Sequence, residues 1–294
     1  MKINVEYKDR QGNLEIRKLR MSLPAFLKHA AIAGQGPRLG ILPSLARGLG
    51  VLMLYGRYID APCWSEWSGF KKAGLQFADP TEQGDFSTLA GKALADFLAK
   101  QLLGAKFTHT YEAAMHVRGL PIPGPRPDFY CTTPTQQFSI EAKGYAQRTV
   151  SDAEMKLHKA QSHAGPIPVN FSVASVAYNI YDVLQCKFHD PVGEDVEFSR
   201  RENNALAKQY YRNLHVGLSE HLTPESIKYE DRQFDGYDIS PYLFTGRRNR
   251  PVTLLFDSRI MGNIERENIL EDEYSRIDEG EIYADVDGIG MRVG

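Results

Sequence analysis

The feature that most constrains this chain is a run of alternating element types between residues 87 and 180. Over residues 87–103 the apolar positions Leu89, Ala93, Leu94, Phe97, Leu98 and Leu102 recur at helical spacing, and Gly104 stops the pattern. Extended segments follow at residues 106–113, 128–132 and 137–143. A second helical stretch at 151–163 then leads into a Val-, Phe- and Tyr-rich extended stretch at 168–180. The loop 119–127 holds four prolines, so it is neither helix nor central strand. The order helix, three strands, helix, strand excludes a helical bundle and an all-β sandwich. It predicts an α/β fold, a mixed central sheet flanked by helices.

Both ends add to this core. Residues 4–7 and 14–19 flank the turn cluster Asp9, Gln11, Gly12 and Asn13 and read as a β-hairpin. The stretch up to residue 79 mixes apolar helix fragments with Gly and Pro breaks. Its most apolar part, residues 39–55, contains Pro43 and Arg47 and falls short of the ~20 apolar residues that span a bilayer, so it reads as buried helix. The aromatic residues Tyr55, Tyr58, Trp64, Trp67, Phe70 and Phe77 are expected in core packing rather than base stacking. Residues 200–218 form another helix and 252–256 an apolar strand. The chain therefore divides into an N-terminal basic region (1–84), a central α/β core (85–220) and a C-terminal acidic extension packed on it (221–294).

Composition narrows the function classes. The chain has 294 residues, 42% hydrophobic and 24% charged, with a net charge of -2, which excludes disordered, collagenous and disulfide-scaffold proteins. Cys63, Cys131 and Cys186 lie far apart with no CxxC pair, so neither a disulfide framework nor a cysteine zinc site is expected. Residues 1–20 lack the apolar core of a signal peptide, and a cytoplasmic location without membrane contact is expected. The balanced total hides an asymmetry: residues 1–60 carry a net +6 and residues 265–287 a net -8. Both read first as solvated faces; the alternatives are a basic end that meets a polyanion and an acidic end that folds against the basic part.

The chemistry-bearing pattern is Pro127-Asp128 at the start of one strand and Glu141-Ala142-Lys143 at the end of the next, with twelve residues between Asp128 and Glu141. Side chains alternate faces along a strand, so Glu141 and Lys143 share one face while Ile140 and Ala142 take the other. An antiparallel pairing of the two strands sets Asp128 beside Glu141. Converging carboxylates repel, and a hard divalent cation with oxygen ligands relieves the repulsion. Such an ion activates water at a phosphate, and an adjacent amine orients that water and shares the developing charge.

Pro127-Asp128…Glu141-Ala142-Lys143 resembles the PD-(D/E)XK nuclease superfamily, whose restriction-endonuclease-like core is αβββαβ. The resemblance covers about residues 85–180, a third of the chain. It implies Mg²⁺, with Mn²⁺ able to substitute, bound by Asp128, Glu141 and the carbonyl of Ala142, with Lys143 near the attacking water. Many members carry an acid in a Gly-x-x-x-Ala-Glu-like segment on the preceding helix. Here Gly91-Lys92-Ala93-Leu94-Ala95-Asp96 stands at that place, which makes Asp96 the fourth catalytic and metal-binding candidate, with a shorter side chain than the usual Glu. Gln147, Lys159 and Gln161 are the candidates for the polar residue often found on the following helix.

A second Glu-x-Lys, Glu154-Met155-Lys156, falls on a predicted helix, where positions i and i+2 do not share a face. Gly84 and Gly91-Lys92 do not form a phosphate-binding loop, because six residues separate the glycines where four are needed. His158 and His163 are five apart on a helix and do not form a zinc pair. The implied activity is metal-dependent hydrolysis of DNA, with RNA not excluded, in restriction or antiviral defence. The alternatives are a repair or recombination nuclease, a nuclease toxin, and a non-catalytic module that binds nucleic acid or protein. Arg38, Arg47 and Arg57 are the expected phosphate contacts, and a homodimer or a defence-complex partner is the expected assembly.

Overall fold

The computed structural model describes residues 1–34, 58–59, 66–70, 79–189, 193, 195–240, 251–264 and 269–294. Arg38, Arg47, Arg57 and the apolar stretch 39–55 lie outside the described residues. The chain is mixed α/β, and its centre is a mixed seven-stranded sheet flanked by helices. In chain order the first part comprises β1 (Lys2–Lys8), β2 (Leu14–Arg20), α1 (Leu23–Ile32), α2 (Pro80–Leu102), β3 (Phe107–Thr110) and α3 (Tyr111–Val117). Next come β4 (Phe129–Thr132), β5 (Gln137–Gly144), α4 (Asp152–Ser162), β6 (Phe171–Tyr178), β7 (Gln185–His189) and α5 (Arg200–Ser219). The strands lie in the order β2-β1-β7-β6-β5-β4-β3.

The sheet explains its own register. Strands β3, β4 and β5 form an antiparallel meander, whereas β6 returns parallel to β5 after the α4 crossover. The N-terminal hairpin is not a separate layer: β1 runs parallel to β7 and extends the same sheet. Phe138, Ile140 and Ala142 on one face of β5 are buried against α2 residues Ala93, Leu94 and Phe97 in the main apolar core. Two glycines let α2 come this close. A Cβ on Gly144 would lie 1.8 Å from the Ser87 carbonyl oxygen, and one on Gly91 would lie 2.6 Å from the Lys143 carbonyl oxygen.

Several sequence expectations shift. Helix α2 begins at Pro80 because Asp79 caps it, its side chain accepting the Thr81 N–H, with Pro80 in the first turn. The expected extended run over 106–113 breaks at Thr110, whose hydroxyl accepts the Ala113 N–H and starts α3. Strand β7 is an addition that the weak pattern of residues 185–189 did not announce. Tyr58 and Phe70 are buried and pack on Phe86, as expected of core aromatics.

The C-terminal part builds a second sheet. Strands β8 (Glu225–Tyr229), β9 (Arg232–Asp238), β10 (Val252–Asp257), β11 (Ile277–Glu279), β12 (Ile282–Ala284) and β13 (Ile289–Val293) pair antiparallel in the order β11-β12-β13-β10-β9-β8. A short helix α6 (Arg259–Asn263) follows β10. The two edge strands meet where the Tyr229 hydroxyl donates to Glu279. Ile227, Phe234, Leu255, Ile277 and Ile282 fill the concave side of this curled sheet. Its other side packs on the core through Leu254, Tyr283, Ile289 and Met291.

The acidic end folds against the basic end at this junction. Lys28 of α1 contacts Asp285 at 3.2 Å and Asp287 at 2.9 Å, and Lys100 of α2 contacts Asp287 at 2.5 Å, all with no solvent exposure. These acids therefore do not form the solvated face expected of them. Among the described residues no helix is long and apolar enough to cross a membrane. Cys131 and Cys186 are free thiols in the core.

Candidate active site

Asp128 immediately precedes β4, and the β4–β5 register pairs Phe129 with Ile140. One step further, Asp128 stands across from Glu141. Because β4 ends here, the Ala142 N–H has no ladder partner on that side, and Asp128 Oδ2 accepts it at 3.0 Å. The N–H and C=O of a strand residue point to the same side, so the Ala142 carbonyl also faces this strand end. Lys143 lies two residues beyond Glu141 on the same face and is ion-paired with its Oε1. The sequence expectation of two carboxylates and one amine at a strand end thus describes the arrangement of these three side chains.

The electrostatics are uneven. Glu141 is 1% exposed, and neither of its carboxylate oxygens has a hydrogen bond of ordinary geometry among the described residues. Burial, and after it the charge of Asp128, pushes its pKa up to about 7 against the pull of Lys143. For Lys143 burial works downward, but the hydrogen bond and charge of Glu141 with the charge of Asp128 together outweigh it and hold the ammonium above its ordinary value. A buried carboxylate short of donors and raised by a neighbouring carboxylate is under-compensated.

Lys92 is the member the sequence reading missed. Its ammonium lies 2.8 Å from Asp128 Oδ1. The close approach of Gly91 to β5 aims it there. A signal existed, since Lys92 precedes Asp96 by one helical turn on the segment already singled out, but only the acid was read as functional. His158 was also read as unremarkable. It faces Tyr145, with 3.2 Å between Nε2 and the hydroxyl, and burial followed by the charge of Lys143 lowers its pKa.

Asp96 does not join the group, which corrects the expectation for it. Its Oδ2 meets His29 Nδ1 at 2.7 Å and its Oδ1 accepts the Thr108 hydroxyl at 2.6 Å, so the carboxylate is spent inside the junction with the C-terminal sheet. The shorter side chain on the inner side of α2 is fully buried there. Of the residues considered on the following segment, Gln147 and Gln161 are exposed, and Lys159 lines a groove on the far side of α4. Glu154 caps α4 through Ser151, so the second Glu-x-Lys is structural.

Among the described residues no group of three or more His, Cys, Asp and Glu side chains gathers to hold a metal. The donors that converge are two carboxylates and a carbonyl. That set suits Mg²⁺, which keeps several waters and uses one or two protein carboxylates, and the under-compensated Glu141 has the chemistry of a cation ligand. Compared with known proteins, the chain matches no family model, no curated protein and no solved structure.

Proposed function

We propose that the chain is a metal-dependent nuclease of the PD-(D/E)XK type that hydrolyses DNA phosphodiesters, with a role in restriction or antiviral defence. The observation that carries this reading is Glu141: a buried carboxylate, set across from Asp128 and beside Lys143, whose charge the surrounding protein does not fully balance. The order of elements from α2 to β6, with the meander β3-β4-β5 and a parallel β6, supports a restriction-endonuclease-like core.

Asp128, Glu141 and the Ala142 carbonyl would hold Mg²⁺ or Mn²⁺. When bound, the ion supplies Lewis-acid stabilisation of the phosphate and a water of lowered pKa. The chain's own groups do the positioning. Asp128 is fixed by the Ala142 N–H on Oδ2, which sets the direction of Oδ1. Lys143, on the same face as Glu141, stands where an ammonium orients a water and balances negative charge at phosphorus. Lys92 holds Asp128 Oδ1 and must yield it, or pair with a substrate phosphate, when a cation enters.

The test is incubation with linear, circular and single-stranded DNA and with RNA, each with Mg²⁺, Mn²⁺ or EDTA, alongside Asp128→Ala. Cleavage that needs the metal and Asp128 is expected; cleavage by Asp128→Ala at the wild-type rate sinks the assignment. A second reading, a non-catalytic nucleic-acid- or protein-binding module, draws on the Lys92–Asp128 pair, which already satisfies one carboxylate without a metal. Binding without cleavage under every metal condition would favour it.

A further inference from the structure

A second cationic feature lies on the same face of the central sheet, separated from Glu141 and Lys143 by α4. Glu6, Lys8, Gly12 and Leu14 of the hairpin form one wall of a groove, Asp152, Met155, Lys156 and Lys159 of α4 form the other, and His189 of β7 lies in its floor. The groove holds about 380 Å³. Its two carboxylates share one ammonium, that of Lys187. Glu6 meets His189 at 2.8 Å and Lys187 at 3.6 Å, and Lys187 also reaches Asp152 at 3.4 Å. Lys8 and Lys156, by contrast, have no carboxylate within ion-pair distance among the described residues. The groove therefore presents an ammonium from each wall, Lys8 and Lys156, that no carboxylate among the described residues pairs with.

Its position relative to the candidate site follows from the register. Lys8 pairs with His189, His189 with Ala174, and Ala174 with Glu141, so one row crosses β1, β7, β6 and β5. Three strand spacings of ~4.8 Å put the Lys8 and Glu141 backbones about 14 Å apart. That is a span of a few nucleotides along one strand. The two sides of α4 divide the labour: His158 looks toward Tyr145 near Lys143, while Lys156 and Lys159 look into the groove.

We propose that the groove between the N-terminal hairpin and α4 is a phosphodiester-binding subsite, in which Lys8 and Lys156 hold the nucleic-acid backbone a few nucleotides from Asp128 and Glu141. The offset from those two residues rests on the nuclease reading; the backbone binding does not. Leu14, 61% exposed, lies beside the lysines and suits the sugar edge of the chain rather than a bare anion.

The test is the salt dependence of binding to a fluorescein-labelled DNA duplex, measured in EDTA so that nothing is cut. Replacing Lys8 and Lys156 together by Ala should weaken binding and lower the slope of log K against log salt by about 1.8, since each lost phosphate contact removes about 0.9. Replacing the exposed Lys228 of the C-terminal sheet should leave the slope unchanged. Among the described residues neither Lys8 nor Lys156 has an ion-pair partner to lose, and unchanged thermal unfolding of the double variant checks that it is folded. An unchanged slope and affinity, or no DNA binding by the wild type, overturns the proposal. Saturable 1:1 binding of inorganic phosphate that depends on Lys8 and Lys156, with an unchanged DNA slope, overturns the backbone assignment in favour of a small anion. Groove-dependent binding by a protein that cleaves nothing leaves the subsite standing and removes the nuclease reading; cleavage with a groove-independent slope does the reverse.

Discussion

A carboxylate that folding buries with too few donors should make the protein less stable when it ionises, and Glu141, with Lys143 alone beside it, is in that position. Its pKa rises from the ordinary 4.5 to about 7 in the folded chain. Between these values the folded state binds the extra proton, so this group's contribution to stability falls as pH rises from about 4.5 to about 7 and stays low above it. Glu141→Gln removes the charge at constant shape. With no divalent cation present it should raise stability at pH 8 by about 3–4 kcal/mol, since each pKa unit is worth about 1.4 kcal/mol, and change little at pH 4. Denaturant titrations at both pH values check this; equal effects at both would show that burial does not penalise the carboxylate.

Lys143 gives the complementary residue-scale prediction. Lys143→Ala leaves both carboxylates in place, so calorimetric Mg²⁺ binding should persist while single-turnover cleavage falls by about 10²–10⁴-fold. Lys143→Arg should not restore it, because the guanidinium is larger and holds its proton. Full activity of the Ala variant would mean that the Glu-Ala-Lys pattern is coincidental. Asp128, Glu141 and Lys143 were legible in the sequence because strand alternation and a hairpin register are local rules. Lys92 and the true place of Asp96 were not, since both depend on how α2 is rolled against the sheet, and Asp96 also on its partner His29 in α1, 67 residues away in the chain.

At the scale of elements, the contact between α2 and the end of β5 sets the geometry of the site. The helix backbone approaches so closely that no Cβ fits at Gly144, and one at Gly91 would press on the Lys143 carbonyl. Either Gly91→Ala or Gly144→Ala must push the helix outward, at about 1–3 kcal/mol or more for overpacking. That movement should also withdraw Lys92 from Asp128. The expected outcome is a lower melting temperature together with a weakened site, read as a higher Mg²⁺ concentration for half-maximal cleavage. A variant that loses stability and keeps its metal dependence would uncouple helix position from the site. The sequence announced both elements, α2 by its apolar spacing and β5 by alternation, but the contact between them is a long-range fit that periodicity does not encode. The same limit explains α3, where the apolar alternation that suggested strand was overridden by the Thr110 cap.

For the whole molecule, the decisive feature is the buried ionic junction between the two sheets. Asp96, Asp285 and Asp287 face Lys28, Lys100 and, at the rim, Arg276, with His29 bridging Asp96 and the Tyr283 hydroxyl. Burial works to raise all three Asp pKa values, but the lysine charges and neighbouring groups outweigh it and hold them below the ordinary 3.8. Their contribution to stability is therefore complete above the unfolded value and is lost as pH falls below it toward the folded values. Asp287 is the keystone: it takes Lys28, Lys100 and the Tyr210 hydroxyl at once. Asp287→Ala leaves two buried ammonium groups short of a counter-charge and should cost about 3–5 kcal/mol. Because α1 packs on β13 and on α2, and α2 packs on β5 and β6, the loss should not stay in the C-terminal part. Hydrogen exchange should accelerate in β6 as well as in β13, and the acid transition should move to higher pH. Faster exchange confined to β8–β13 would show instead that the two sheets unfold independently and that the junction only tethers them.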